Sequence, residues 1–321
     1  MSVTEIEKRE IIAARTTVDK VFRGFVTGNA MFSLVVLGLI AGFLLYRGFE
    51  IFSDYGFGFI TEERWDIGDP MDPSTAVLGI GAMLFGSVLT AVIAVLIAVP
   101  FSIGTALFIE YYAPKSVKPL LTAVLDFAAA VPSVIYGIWG YAVLLPMVEG
   151  WSKSMEPALD FIPIFDVPAE IFGRSPFMAG LLLSLMIVPI VTSVAREVYG
   201  QTPRDLVDAS YALGGTKWGA IRTVVLPFGR SGLVGGTMLG LGRAMGETVA
   251  VFLTLNLVFD VNYRVLASAG GNVASLIATK FGEATEYELK ALMAAGLVLF
   301  LVTLFVNFLA TIVVNRSRKI A

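Results

Sequence analysis

Six apolar stretches, roughly residues 25–46, 77–109, 119–148, 177–195, 232–259 and 289–315, constrain this chain more than anything else in it. About 20 apolar residues match the hydrocarbon thickness of a bilayer, where backbone groups meet no water and must satisfy one another within a helix. The chain is therefore expected to be an all-α, polytopic membrane protein with six transmembrane helices. Its composition agrees: 56% of the 321 residues are hydrophobic and 15% are charged, against about 25% charged in soluble domains. That balance disfavours disorder and a nucleic-acid-binding surface. The absence of cysteine and histidine excludes disulfides, thiolate nucleophiles, the usual zinc sites and Ser-His-Asp catalysis.

Two stretches carry their own interruptions. The second is too long for one span and contains Pro100, so Phe101–Tyr112 is expected as a separate interfacial segment. The third holds Asp126 and Pro132 within a run that reads FAAAVPSVIYGIWG, which predicts a broken helix. Ahead of the first span, residues 1–24 interleave Lys8, Arg9, Arg15, Lys20 and Arg23 with four acids and apolar residues, the pattern of an amphipathic lead-in helix. The first apolar stretch comes late, lasts long and lacks a small-x-small exit, so it reads as a span and not as a cleaved signal peptide.

Lysine and arginine accumulate on the cytoplasmic flanks of spans. Segments 1–24, 110–118, 196–231 and 316–321 hold fifteen of them, and segments 47–76, 149–176 and 260–288 hold six. Both termini are therefore expected in the cytoplasm. The outer segments are acidic, with Glu50, Asp54, Glu62, Glu63, Asp66, Asp69 and Asp72 in the first, so an anion arriving free from solution would be repelled.

The inner segment 196–231 reads REVYGQTPRDLVDASYALGGTKWGAIRTVVLPFGR from Arg196 to Arg230. Gly214 and Gly215 break its helical pattern and Pro227 is expected to stop it, giving a helical knob made of a helix, a glycine turn and a second short helix. In the fifth span Arg243 falls about 17 Å from Gly232 along a helix, near mid-membrane, where an isolated charge costs about 2.5–3.5 kcal/mol. Glu247 follows at i+4, placed to pair with Arg243 on one helix. Gly232, Gly236, Gly240, Arg243 and Glu247 share one stripe about 80° wide, and glycines at that spacing mark a close helix contact. Arg243 and Glu247 are the candidate translocation-path residues.

Asp208-Ala209-Ser210, three residues, Gly214, nine residues and Val224-Val225-Leu226-Pro227 resemble the E-A-A-x3-G-x9-I-x-L-P loop of ABC-importer permeases, with Asp for Glu, Ser for Ala and Val for Ile. AAAVPSVIYGIWG (128–140), GLGRAMGETVAV (240–251), NVASLIATKFGEA (272–284) and ALMAAGLVLFLVTLFVN (291–307) narrow the likeness to permeases of the phosphate-specific transport system, of the PstC type or its PstA-type sister.

The resemblance covers all six spans and implies the type I ABC-importer permease fold. Residues 1–24 would be a cytoplasmic segment, 25–315 the permease domain with coupling loop 196–231, and 316–321 a cytoplasmic tail. Asp208, Ala209, Ser210, Gly214, Gly215, Thr216, Trp218, Leu226 and Pro227 would form the ATPase-coupling loop. Implied partners are a sister permease of the PstA type, two ATPase copies of the PstB type, an external phosphate-binding protein of the PstS type, phosphate itself and membrane lipid, with no nucleic acid.

No cofactor is expected in this chain. It lacks the G-x-x-x-x-G-K-[ST] loop, so ATP would be bound by the partner ATPase. The expected location is a bacterial or archaeal plasma (inner) membrane. Alternatives are a permease for another oxyanion such as sulfate or molybdate, or a secondary transporter or channel. A membrane enzyme using Glu247 with Asp126 is a third, weaker reading.

Overall fold

A computed structural model describes residues 16–69 and 72–318. Most of the lead-in segment, including Lys8, Arg9 and Arg15, and the tail from Lys319 lie outside the described residues. Among those described, six helices are long and apolar enough to cross a membrane.

The first, α1 (Thr17–Tyr55), starts at a capping box in which Thr16 and Asp19 bond each other's backbone, and it outruns the expected span at both ends. Arg47, Glu50 and Asp54, assigned by sequence to an outer loop, belong to its last turns. From Thr17 to Ile40 it is exposed all round, and only its outer end packs in the bundle.

The second, α2 (Gly81–Leu107), contradicts the expected break at Pro100: the helix continues through the proline and closes in a wider π turn over Phe108–Tyr112. Packing against α6 (Pro176–Gly200) supplies what the missing amide does not. Ala98 and Ser102 are fully buried, and the Ser102 hydroxyl donates to the Val188 carbonyl at 3.2 Å. Residues 77–80, read as the start of this span, precede the helix: Val77 and Leu78 form β2 of a small antiparallel pair with β1 (Trp65–Asp66), Trp65 opposite Leu78, and Ile80 is the N-cap of α2.

The expected break in the third span is present. Helix α3 (Lys118–Ala130) ends where Val131 and Pro132 turn extended, and α4 (Ser133–Trp139), a π turn (Gly140–Leu144) and α5 (Leu145–Leu159) complete the crossing. The Tyr136 hydroxyl donates to the Ala128 carbonyl at 3.0 Å, so one of the acceptors released by the break finds a donor across it.

After α6 the inner segment forms α7 (Arg204–Ala212) and α8 (Lys217–Ala220). Pro227 does not stop the second helix. A π turn over Ile221–Val225 carries the chain into α9 (Leu226–Gly246), and Pro227 sits in the first turn of that helix, where the missing amide costs nothing. The fifth span is then interrupted at Glu247 and Thr248 and resumes as α10 (Val249–Thr254), with α11 (Val273–Lys280) and α12 (Glu286–Arg318) following.

The glycine stripe of α9 does what its spacing predicts. A Cβ at Gly232 would overlap Val198, one at Gly236 would lie 3.0 Å from the Val194 Cβ, and one at Gly240 would lie 3.0 Å from a Val191 methyl, so α9 and α6 meet backbone to side chain. Gly240→Leu is expected to force these helices apart. Overpacking of this kind costs about 1–3 kcal/mol, readable as a lower melting temperature of the detergent-solubilised protein; an unchanged midpoint would remove the stripe from the packing account.

At the C-terminal end of α1, that helix, the β pair and the start of α12 are knitted into one cap. Lys290 Nζ lies 2.6 Å from Glu50, the Tyr287 hydroxyl donates to Asp54 at 2.8 Å, and the Tyr55 hydroxyl donates to the Ala76 carbonyl at 2.7 Å. Trp65 stacks on Phe259 at 6.4 Å between ring centroids, and its indole N–H donates to the buried Glu288 carboxylate at 2.9 Å.

Candidate functional site

The interruption of the fifth span organises the membrane interior. Gly246 is the last helical residue of α9, and Glu247 takes an extended backbone (φ −71°, ψ 128°). Arg243 and Glu247 are therefore not i and i+4 on one continuous helix, and no ion pair joins them among the described residues; the pairing expected from sequence is corrected. Glu247 is 8% exposed, and its carboxylate accepts the Ala250 amide of α10 at 3.4 Å. Its carbonyl, freed by the break, accepts the Asn272 side-chain amide at 2.8 Å.

Asn272 ties the break to the start of α11. While its Nδ2 holds the Glu247 carbonyl, its Oδ1 accepts the Ser275 amide at 2.8 Å and caps α11. Next to it, Ser87 of α2 accepts the Val273 amide at 3.0 Å and donates to the Met83 carbonyl at 2.8 Å. Sequence reasoning assigned neither Asn272 nor Ser87 a role; the Asn272-x-x-Ser275 spacing ahead of an apolar run was the readable signal for the cap.

Arg243 is half-buried, and its Nε is a buried donor without a hydrogen-bond partner. Tyr136 bridges the break of the third span, and the segments that follow the two breaks, α4 and α10, pack on one another, with Gly137 against Ala250 and Leu253. Tyr136 also lines a cleft of about 440 Å³ with Phe127, Val131, Ile135 and Trp139. The two interrupted spans thus meet beyond their breaks, and an arginine with an open donor lies in the last turn of α9 just before the second break. A carboxylate lies one backbone break away. That is chemistry suited to holding an anion briefly, since the acid offsets part of the arginine's field.

The inner knob is the second candidate region. Gly214 sits at φ +82°, in the left-handed region, and turns the chain between α7 and α8. The Gly215 amide donates to the Ser210 carbonyl at 3.0 Å, and the Thr216 hydroxyl caps α8 by accepting the Gly219 amide at 3.1 Å. Ile221 and Val225 are buried with Ala195 and Tyr199 and root the knob on α6. Asp208 and Ala209 are exposed, as are Leu213 (91%) and Trp218 (56%), so the knob presents large apolar side chains outward. Leu226 and Pro227 lie apart from this face, in the first turn of α9. Lys217 stands 4.4 Å over the Tyr112 ring and ties α8 to the end of α2.

In the outer segment, the Gly68 amide and then the Arg64 guanidinium hold the Asp66 carboxyl below its ordinary range. A carboxyl with a lowered folded value stabilises its turn above the ordinary carboxylate range and loses that contribution as pH falls through the lowered value. Hydrogen exchange at the Gly68 amide is therefore expected to stay protected down to the bottom of the carboxylate range, and loss of protection near pH 6 would contradict the bond.

Comparison with known proteins gives consistent likenesses. The family described as binding-protein-dependent transport system inner membrane component matches residues 98–319. The phosphate transport system permease protein PstC of Pasteurella multocida is 33% identical over 308 residues, covering 94% of this chain and 93% of that protein. The probable phosphate transport system permease protein PstC of Methanocaldococcus jannaschii is 36% identical over 298 residues, covering 92% and 93%. A chain from a methionine ABC transporter solved in inward facing conformations superposes with a TM-score of 0.48 and 17% identity, over 74% of this chain and 94% of its own.

Proposed function

This chain belongs to the family of binding-protein-dependent transport system inner membrane components, and from that premise we propose that it is the membrane-spanning permease of an ATP-driven importer of inorganic phosphate. The observation that carries the substrate is the likeness to phosphate permeases along more than nine-tenths of both chains. It is a multi-pass inner-membrane protein, and the reading that both termini face the cytoplasm is supported by the fifteen-to-six excess of lysine and arginine on those flanks.

The chain itself hydrolyses nothing. ATP is bound and cleaved by a separate ATPase pair that docks on the knob of α7 and α8, where exposed Leu213, Trp218 and Asp208 offer apolar anchors and a charge. A companion permease completes the pathway in the membrane, and an external binding protein delivers phosphate to the acidic outer face, which would repel the free anion. Arg243 and Glu247 line the path. The arginine supplies the charge that brings phosphate across mid-membrane, and the buried carboxylate keeps the binding transient. Glu247 is also able to accept a hydrogen bond from a protonated phosphate oxygen, which sulfate lacks at neutral pH.

The test is uptake into vesicles holding the chain, its companion and the ATPase, with loaded binding protein outside. Phosphate should enter only with internal ATP, and sulfate or molybdate should not compete. Competition by either would reassign the substrate, and uptake without ATP would reassign the class to a secondary transporter or channel.

A further inference from the structure

Asp126 has no use in the mechanism above and no partner among the described residues. It lies on α3, exposed, with no ion pair or hydrogen bond among the described residues. Its depth follows from α6. One turn earlier on α3, the Thr122 hydroxyl accepts the Arg196 guanidinium at 3.2 Å, four residues before α6 ends at Gly200. Asp126 is therefore roughly 12 Å in from the end of a helix about 37 Å long, set against hydrocarbon about 30 Å thick. A carboxylate turned to lipid inside the hydrocarbon is unfavourable, by about 2.5–3.5 kcal/mol at its centre and by less toward its edge.

The surface around it is apolar and open. Leu120, Val124 and Phe127 of α3 and Ile135 of α4 are all more than half exposed, Phe127 at 74%. The cleft of about 440 Å³ at the helix break indents this surface. A water-filled path would be lined by polar groups, whereas this face has one acid in an apolar field. Arg196, the base of α6, donates one guanidinium N–H to Thr122 and leaves its buried Nε without a partner, yet makes no ion pair with Asp126.

We infer that the exposed face of α3 and α4 is the docking surface for the companion permease, and that a lysine or arginine within one of its membrane spans pairs with Asp126. This rests on the reading above that the chain works beside such a companion. The pairing fixes which face meets which, since an acid in an apolar interface is tolerated only where a base meets it.

The chain has no cysteine, so Val124→Cys introduces a single thiol for a benzophenone maleimide. In the purified complex returned to bilayers, the photoproduct should join this chain to the companion at a peptide carrying a basic residue in a membrane span. Asp126→Lys should lower the companion recovered with the chain at least ten-fold, and reversal of that basic residue to Glu should restore it. If Asp126→Lys fails to insert, Asp126→Asn carries the test with a several-fold loss.

A photoproduct with lipid alone, or full recovery of the companion with both Asp126 variants, overturns the inference while the transporter reading stands. Restoration by Arg196→Gln in place of the companion's base would put the pair inside this chain and overturn it too. A wild-type preparation with no companion and no ATPase would sink the underlying reading along with it.

Discussion

Arg243→Gln is expected to cut ATP-driven phosphate uptake by about 30- to 100-fold while the complex still assembles and hydrolyses ATP at its basal rate. The magnitude is that of a charge-assisted hydrogen bond lost to an anion in a poorly solvated site, about 2–3 kcal/mol. Two features of the structure separate this from a role in stability. The Arg243 Nε has no hydrogen-bond partner, and no ion pair links the guanidinium to Glu247, so its removal strands no partner charge. Gln at 247 can still accept the Ala250 amide, so Glu247→Gln keeps the helix break and reports on charge alone. It should impair uptake as well, by leaving the arginine unopposed and the anion held too long. If the two were only a structural pair, each single change would destabilise the complex and the double change to Gln would restore assembly and transport together. A fully active double variant would sink the path role.

The sequence spoke most clearly where one local property decided the outcome. Apolar length located the six spans, Pro132 located the break in the third, and the glycine spacing of α9 anticipated its contact with α6. It misled where a distant segment decides. Pro100 and Pro227 carry the same local signal as Pro132, yet packing on α6 keeps the helix whole at the first and the preceding π turn accommodates the second. Near Glu247 the one local sign of the end of α9 is Gly246, weak beside Gly232, Gly235, Gly236, Gly240 and Gly242, which the helix runs through, and GLGRAMGETVAV has no proline. The break is held by Asn272, 25 residues away, whose side-chain amide takes the Glu247 carbonyl. Periodicity therefore put Arg243 and Glu247 on one stripe correctly as far as Gly246 and wrongly beyond it. The site remained legible as residue types, and its geometry did not, because the geometry belongs to contacts between segments.

Gly214→Trp is expected to abolish stimulation of ATP hydrolysis by loaded binding protein, a loss of more than ten-fold, with all six spans still inserted. The reason lies in the backbone and at the docking face. At φ +82° any L-residue with a Cβ is strained by about 1–2 kcal/mol, enough to shift α8 relative to α7. Within the chain the Cβ itself meets nothing, because no atom lies within 4 Å of where it would be. Three substitutions divide these causes. Gly214→Asn, which tolerates the left-handed region, should keep most of the stimulation; Gly214→Val, β-branched and intolerant of it, should lose as much as Trp does. If Asn fails as badly as Trp, the docking ATPase meets the bulk directly and residue 214 is itself in the interface. Normal stimulation in both Gly214→Trp and Gly214→Val would take the coupling role away from this loop, because strain and bulk together would then leave the presentation of α8 to the ATPase unchanged.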